Sequence, residues 1–267
     1  MLRVNILPSP SEEIFLTRYE EAAFPKFGEL FKADSSSSPL RLLALDPEEA
    51  SAAIVLENRS ERAVTALRYR WGTIDESGKH RSRTVSSDSY MVDIYSAVAE
   101  PGSRHLISPS GSVDEASIDH VHAGGGLIGA RVGAQHLGRA EPKIVELSFE
   151  IDLVLFEDGE IAGPDPDRYA TELQWRKPGA QFIAKQIRLA IAESRDVAPV
   201  LSALAEVPCI GRLGHVQGDP LLHWTRYYAR QYLQAMKQES NTFNWREVRL
   251  RHLESRPALP KFYRRSQ

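Results

Sequence analysis

The clearest hydrophobic pattern in the chain lies between Val145 and Phe156, where apolar and polar residues alternate. An alternation with a period of two residues predicts a β-strand that buries one face. An Asp-Gly turn follows at 158–159, and Asp165-Pro166 then supplies an N-cap and a first-turn proline for a helix. We therefore expect strands and loops before this segment and helices after it.

Shorter apolar segments upstream predict further strands, over 40–45, 52–56, 64–71 and 90–98. In the third of these, Leu67, Tyr69 and Trp71 fall on one face. Several short strands joined by turn residues indicate an antiparallel sandwich, and Trp71 in mid-strand is reminiscent of the core tryptophan of immunoglobulin-like sheets. We predict an immunoglobulin-like antiparallel β-sandwich over residues 39–163.

The first 38 residues are expected to form an N-terminal arm. Ser9 or Ser11 can cap a helix that continues to Ala23. The acidic residues in its first turn also favour a helix start, because they interact well with the helix dipole. A serine-rich segment over 34–38 then has the composition of a flexible linker.

Residues 164–267 have helical periodicity, with Trp175 among the apolar positions before Pro178-Gly179, which is predicted to break or kink the helix. Further helices are predicted over 197–204, after Asp219, and over 244–254. The chain is therefore predicted to be an α+β protein with a helical C-terminal region. After the break, the predicted buried stripe consists of Phe182, Ile183, Ile187, Ala190 and Ile191. In the helix after Asp219 the apolar side consists of Leu221, Trp224, Tyr228 and Tyr232.

Two short motifs carry a resemblance. The run Phe156-Glu-Asp-Gly159 is followed by Gly163-Pro-Asp165, and Asn58-Arg-Ser60 forms a turn between two early strands. In these features the chain resembles uncharacterised bacterial proteins in which a β-sandwich ends in a strand followed by helices. The resemblance covers about residues 50–190. It implies a fold, and it implies no chemistry because no activity is established in that group.

Composition limits the class of protein. Of the 267 residues, 42% are apolar and 26% are charged, which is typical of a folded soluble protein with a core. Cys209 is the only cysteine, so neither an intrachain disulfide nor a cysteine-based zinc site can form. The N-terminus has no apolar run of signal-peptide length, and no segment approaches the ~18 apolar residues of a membrane span. We therefore expect a cytoplasmic protein.

The segment Gly124–Gly129 matches the G-x-G-x-x-G pattern of dinucleotide-binding turns. Its surroundings argue against that interpretation. The strand before it would contain Asp119, His120 and His122, whereas a central parallel strand is buried on both faces. The helix after it would contain three glycines. We interpret the segment as a flexible loop.

A metal site is the alternative that the histidines of this region suggest. His120 and His122 would share one face of a strand, and His136 or Asp119 could complete a set of three ligands. A polar loop that contains histidines explains the same residues. The acidic residues of 157–167 could bind calcium, but they lack the twelve-residue calcium-loop pattern, and turn and cap roles account for them.

The C-terminal region has the strongest interaction signal. Residues 221–267 contain ten Lys/Arg and three Asp/Glu, a net charge of +7, whereas residues 1–220 carry −10. Basic charge with aromatic rings suits nucleic acid. The whole-chain charge of −3 instead favours another protein, or the acidic sandwich of the same chain, as the partner. The predicted interaction surface consists of Arg246, Arg249, Arg256, Lys261, Phe262, Tyr263, Arg264 and Arg265.

The sequence contains no G-x-S-x-G, G-x-x-x-x-G-K-[ST] or H-E-x-x-H motif, and it gives no reason to assert an enzyme or a cofactor. We predict a non-enzymatic binding or protein-interaction module. The alternative is a metal-dependent enzyme or metal-binding protein that uses His120, His122 and His136.

Overall fold

The computed structural model describes residues 2–20, 22–32, 40, 45–89, 97–109, 111–122, 143–206, 219–238, 250, 254 and 260–264. The chain divides into two compact units, the first built mainly from β-sheets and the second from helices. The first unit comprises Met1–Ser89, Ser96–Pro164 and Tyr263–Gln267, and the second comprises Tyr90–Tyr95 and Asp165–Phe262.

The first unit contains two β-sheets. Their strands are β1 (Arg3–Ile6), β2 (Ile14–Arg18), β3 (Ile54–Asn58), β4 (Val64–Asp75), β5 (His80–Asp88), β6 (Arg104–Ser108), β7 (Gly111–Asp114), β8 (Ile144–Phe156) and β9 (Ile161–Ala162). The larger sheet has the order β1-β8-β4-β5, and β9 also pairs with β8. The smaller sheet has the order β2-β3-β6-β7 and is antiparallel. Because β1 runs parallel to β8, the larger sheet is mixed, and the prediction of purely antiparallel pairing is wrong for this strand.

One hydrophobic cluster joins the two sheets. The rings of Tyr69 and Trp71 in β4 lie 5.3 and 4.8 Å from the Phe149 ring of β8, measured between centroids. Ile54 and Leu56 of β3 belong to the same cluster. In β8 the predicted alternation is confirmed from Leu147 to Ile151, where the residues between the buried ones are partly exposed. From Ile151 to Phe156 every residue is buried, and Val154 and Phe156 belong to the cluster in place of the predicted Leu153 and Leu155.

Short helical segments cover the other face of the smaller sheet. The helices are α1 (Pro25–Gly28) and α2 (Glu115–His122), and a 3-10 helix spans Pro47–Ala52. Phe27 follows the start of α1, and Ile118 and Val121 lie in α2. All three pack in a second cluster with Val55 and Leu106 of the sheet. The smaller sheet is therefore buried on both faces.

The helix predicted for the first residues is wrong. Residues Ile14–Arg18 form β2, which pairs with β3, and Arg3–Ile6 form β1. Ile14 is 2% exposed and its neighbour Phe15 is 44% exposed, as expected for a strand with one buried face. Pairing with β3 satisfies the backbone groups that the local helical pattern would otherwise have satisfied within the helix.

The second unit contains the helices α3 (Tyr169–Ala192), α4 (Val197–Glu206) and α5 (Pro220–Gln238). Ile183 and Ile187 of α3, Leu201 of α4, and Trp224 and Tyr228 of α5 form its core. The predicted helices over 197–204 and after 219 are confirmed.

The start and the middle of α3 differ from the prediction. The helix begins at Tyr169 rather than at 166, but the Asp165 carboxylate still accepts hydrogen bonds from the N–H groups of Tyr169 (2.7 Å) and Ala170 (3.1 Å). Of the predicted break or kink at Pro178-Gly179, the break is wrong, because Pro178 lies inside the helix. Its side chain is exposed, and the carbonyl that loses an N–H partner on that side can bind water.

Several predicted features lie outside the described residues. These are the linker over 34–38, most of the strands over 40–45 and 90–98, the glycine segment 124–129, Cys209 and most of the helix over 244–254. Among the helices that the structure does describe, none combines the length and the apolar character needed to cross a bilayer.

Candidate functional site

Three large apolar side chains lie exposed along one side of α3. Trp175, Phe182 and Leu189 are 37%, 40% and 40% exposed. Because seven residues make nearly two turns of an α-helix, side chains at this spacing form a row, here about 21 Å long. We call these three residues the α3 stripe.

The opposite side of the same helix is packed in the core of the second unit. Ile183 and Ile187 are at most 1% exposed, and Gly179 lies against Trp224 of α5. The exposed row is therefore not the outer edge of a poorly packed helix. The helix is thus apolar on two sides, of which its own unit covers one and leaves the other exposed.

The sequence predicted part of this arrangement wrongly. Phe182 and Ile191 were expected in the buried stripe with Ile183, Ile187 and Ala190, but Phe182 is 40% and Ile191 is 53% exposed. Phe182 is rotated about 100° around the helix from Ile183, which places it outside the buried arc. The seven-residue spacing of the apolar residues is a signal that could have revealed a second face.

The charge around the α3 stripe is positive. Between Leu173 and Ala192 the sequence has four basic residues and no acidic residue. Lys185 lies three residues after Phe182 and four before Leu189, so it is a neighbour of both on the helix surface, and it is exposed.

A second basic residue is held in place near Lys185. Arg188, one turn further along, forms an ion pair with Glu254 through two hydrogen bonds of 2.8 and 3.0 Å. Glu254 lies far along the chain from α3, so the pair links the C-terminal half of the helix to a distant segment of the same unit.

A buried arginine holds α3 against α5. Arg176 is 3% exposed, and its guanidinium carbon lies 4.3 Å from the centroid of the Trp224 ring and 5.3 Å from that of Tyr169. Glu172, one turn earlier, lies 4.0 Å away. Sequence reasoning missed this cluster, because one arginine among the polar residues of a helix gives no sign of burial.

Positive charge also surrounds the first turn of α5. The pKa of His223 is lowered by its partial burial and then by the charges of Arg226, Arg176 and Arg230. Its ring lies edge-on to Trp224 at 5.2 Å between centroids. The helical unit therefore favours the neutral form of this imidazole.

The acidic residues after β8 surround an arginine. Arg62 donates hydrogen bonds to Asp158 (2.7 Å) and Glu160 (2.6 Å), and also to Glu13. Burial lowers the pKa of Arg62, but the bonds to these three carboxylates outweigh burial and raise it. The positive charge between these carboxylates comes from the chain itself, which supports a structural role for the cluster.

The structure changes the geometry expected for the histidines. Residues 115–122 form α2 rather than a strand, so His120 and His122 are about 200° apart around a helix and do not share a face. His122 instead lies 3.0 Å from a carboxylate oxygen of Glu29. His136 lies outside the described residues, and within those residues no group of three His, Cys, Asp or Glu could hold a metal ion.

Of the eight predicted tail residues, Lys261–Arg264 are described and the other four are not. Tyr263 forms a parallel bridge with Glu160, and its hydroxyl donates a hydrogen bond of 2.9 Å to Asp158. The Arg264 side chain donates to the Gly163 carbonyl. These two residues extend the larger sheet next to β9.

Comparison of the chain with protein-family models, curated proteins and solved structures finds no match. The resemblance to bacterial sandwich proteins therefore has no support from these comparisons. The structure itself shows the coarser arrangement of two β-sheets followed by a helical region.

Proposed function

We propose that this protein is a non-enzymatic protein-interaction module whose α3 stripe binds an acidic amphipathic helix of a partner protein. The observation that carries the proposal is the exposure of Trp175, Phe182 and Leu189 in one row, on a helix whose other side is already packed.

The first step is energetic. Full burial of a Phe or Leu side chain is worth about 1.5–3 kcal/mol relative to full exposure in water, and residues that are 37–40% exposed can gain less than half of this in a complex. Contiguous exposed apolar residues are therefore rare on surfaces that bind nothing, whereas single ones are common. The regular spacing of the α3 stripe distinguishes it from scattered exposed residues.

The second step is geometric. Apolar residues seven apart match the spacing with which one helix packs along another, and a partner helix with its own apolar residues at positions a and d can interdigitate with them. Trp175 would be the main anchor, because tryptophan is enriched among the residues that dominate interface energies.

The third step concerns charge. Lys185 borders the α3 stripe, and the helix itself has no acidic residue between 173 and 192, although Glu254 pairs with Arg188. A second copy of α3 would bring like charges together, which disfavours self-association. A partner helix with glutamates beside its apolar row would be complementary.

The predicted tail surface is a separate part of this proposal. A partner that binds Lys261 and Arg264 would contact the chain beside two bonds. These are the hydrogen bond from Tyr263 to Asp158 and the one from Arg264 to the Gly163 carbonyl. An immunoglobulin-like relationship between the sheets and a cytoplasmic location also stay predictions.

A designed peptide tests the proposal. We would label a 21-residue helical peptide with Leu at positions a and d and Glu at e and g, and measure its fluorescence anisotropy with the full chain. We expect saturable binding that weakens with salt, and Phe182→Ser should weaken it at least tenfold. A peptide with Lys in place of Glu should bind at least tenfold more weakly.

Phe15→Ser is the matched control, because Phe15 is similarly exposed but lies in β2 of the first unit. This variant should bind the acidic peptide like the unmodified chain. The proposal is wrong if the acidic peptide does not bind, or if Phe182→Ser and Phe15→Ser bind it equally well.

A further inference from the structure

β5 is a long strand at one edge of the larger sheet. It spans nine residues, whereas the edge strands β1, β2 and β7 span four or five. In the part of the chain that the structure describes, β5 pairs with β4 alone. Edge strands in natural proteins are usually short or covered, because an open edge can pair with another strand. β5 therefore presents an edge that a further strand could use.

The hydrogen bonds at the two ends of β5 show which of its backbone groups point outward. The Ser89 N–H donates to the Thr65 carbonyl (2.9 Å), and the Asp75 N–H donates to the Lys79 carbonyl (3.2 Å). The register between β4 and β5 is continuous. Because backbone groups alternate in direction along an antiparallel strand, the odd-numbered residues of β5 bond to β4. The even-numbered residues direct their N–H and C=O groups away from it.

The outward edge carries short hydroxyl side chains. Ser82, Thr84 and Ser86 are the even-numbered residues in the middle of β5, and all three are exposed. Within the described residues, none of their backbone or side-chain groups bonds to a segment other than β4. Because these side chains are short, a second strand can approach along the whole edge.

Two arginines alternate with these hydroxyl residues and suggest a different role for the edge. Arg81 and Arg83 lie on the core face of β5, and inward-pointing charges can protect an edge from pairing. Arg83, however, donates a hydrogen bond of 3.2 Å to the Pro109 carbonyl, just after β6, so its side chain is directed toward the smaller sheet. The two roles differ in their consequence, because a protected edge keeps the chain monomeric.

We propose that β5 pairs with β5 of a second copy of this chain, antiparallel about a two-fold axis at Thr84. Thr84 is the middle residue of the strand, so this register pairs the whole of β5 and aligns the outward backbone groups of the two copies. An axis at Ser82 or at Ser86 would pair only residues 80–84 or 84–88. The larger sheet then continues from one copy into the other.

The sequence of β5 is complementary to itself in this register. No residue between 81 and 87 stands opposite a residue of like charge, and hydroxyl residues opposite each other can form hydrogen bonds across the strands. The opposed pairs are Arg81 with Ser87, Ser82 with Ser86, Arg83 with Val85, and Thr84 with Thr84. Any extended strand could use the outward backbone groups, but this symmetry about Thr84 favours a copy of the same strand.

Sedimentation velocity of the full chain, from about 1 µM to about 300 µM, tests the proposal. We expect a reversible shift from monomer to dimer with concentration, because a contact of one strand pair is small and such interfaces are weak. Thr84→Lys and Thr84→Glu each place like charges opposite one another at the axis. Each variant should weaken the dimer about fivefold at low salt.

A mixture of the two variants tests the register itself. Because residue 84 stands opposite itself, an equal mixture of Thr84→Lys and Thr84→Glu should associate about fivefold more tightly than either variant alone. Thr84→Gln has the size of the Glu variant without its charge, and it should dimerise like the unmodified chain. Thr17→Lys makes the same change in the edge strand β2 and should also leave the dimer unchanged.

A chain that stays monomeric at about 300 µM would overturn the proposal and assign Arg81 and Arg83 to edge protection. A mixture that associates no more tightly than its components would overturn it too. The same holds if Thr17→Lys weakens the dimer as much as Thr84→Lys does, because the contact would then lie elsewhere. β5 and the α3 stripe involve different residues, so either proposal can fail without the other.

Discussion

A methyl group on Gly179 of α3 would lie 2.6 Å from the Cβ of Trp224 in α5, and 3.0 Å from its backbone carbonyl carbon. Alanine normally stabilises a helix by about 1 kcal/mol relative to glycine. Here we expect Gly179→Ala to lower the free energy of unfolding, because forced overpacking costs about 1–3 kcal/mol and the nearest atoms are backbone or close to it.

Urea unfolding followed by circular dichroism would measure this change. Gln181→Ala, at an exposed position of the same helix, is the control and should be neutral or slightly stabilising. If Gly179→Ala were as stable as that control, the two helices would not be in the close contact described here.

The second prediction concerns the arginine that three carboxylates surround. Arg62 also stacks on the Phe156 ring at 4.2 Å, and its side chain is only 17% exposed. Arg62→Met should reduce the free energy of unfolding by about 3 kcal/mol at pH 7, because Glu13, Asp158 and Glu160 would then repel one another. The loss should shrink at low pH, when these carboxyl groups become protonated.

Arg59 provides the comparison for Arg62. Its side chain is 51% exposed and forms an ion pair with Glu57. Arg59→Met should therefore cost no more than about 1 kcal/mol in the same urea titration. If both variants lost the same free energy of unfolding, the three carboxylates around Arg62 would not make it more stabilising than the exposed Arg59.

The third prediction concerns Asn58, which is fully buried at the end of β3. Its amide N–H groups donate to the carbonyls of Arg62, Ala99 and Glu100, and its oxygen accepts from Ser60. Asn58→Asp would place a carboxylate against three carbonyl oxygens, so we expect a loss of about 3 kcal/mol or more.

Thermal unfolding at pH 7 and at pH 4 would test this prediction, because protonation of the new aspartic acid should restore part of the stability. Ser60→Ala removes a partner without adding a charge and should cost about 1 kcal/mol at either pH. A mild effect of Asn58→Asp at pH 7 would contradict the assigned hydrogen bonds.

The fourth prediction concerns pH. Since the pKa of His223 is lowered in the folded protein, the unfolded chain takes up a proton first as the pH falls below the ordinary histidine pKa of about 6.5. The contribution of His223 is therefore present above that pH and is lost toward the folded-state pKa. His223→Gln should weaken the dependence of stability on pH between 7.5 and 5.

Gln181→Ala is the control for the pH prediction, because it changes an exposed position of the second unit without changing a titratable group. It should not weaken the loss of stability in acid. Parallel urea titrations at several pH values would distinguish the two variants, and the same slope for His223→Gln as for the unmodified chain would refute the prediction.

Strands in which apolar and polar residues alternate could be predicted from the sequence. The alternation from Leu147 to Ile151 and the aromatic face of β4 are properties of consecutive residues, and both are observed. The burial of every residue from Ile151 to Phe156 depends on neighbouring elements and was not predicted. The order of the strands could not be predicted, because the parallel pairing of β1 with β8 joins residues 3–6 to residues 146–149. No local pattern records such a contact.

The elements that were predicted wrongly have a common physical origin. Ile14–Arg18 and residues 115–122 each have a local pattern that suits more than one conformation, and neighbouring elements decide between them. The α3 stripe was partly visible as apolar residues, but which of them α5 covers depends on packing.

The bridge between Tyr263 and Glu160 has a consequence for synthesis of the chain. The first unit includes residues that are translated before the helical unit and residues that are translated after it. When β9 has just been synthesised, Tyr263, whose backbone groups bond to the Gly159 carbonyl and the Ile161 N–H, has therefore not yet been translated. Until Tyr263 emerges, this edge of the nascent sheet lacks the partner of one donor and one acceptor, and such an edge can pair with another chain.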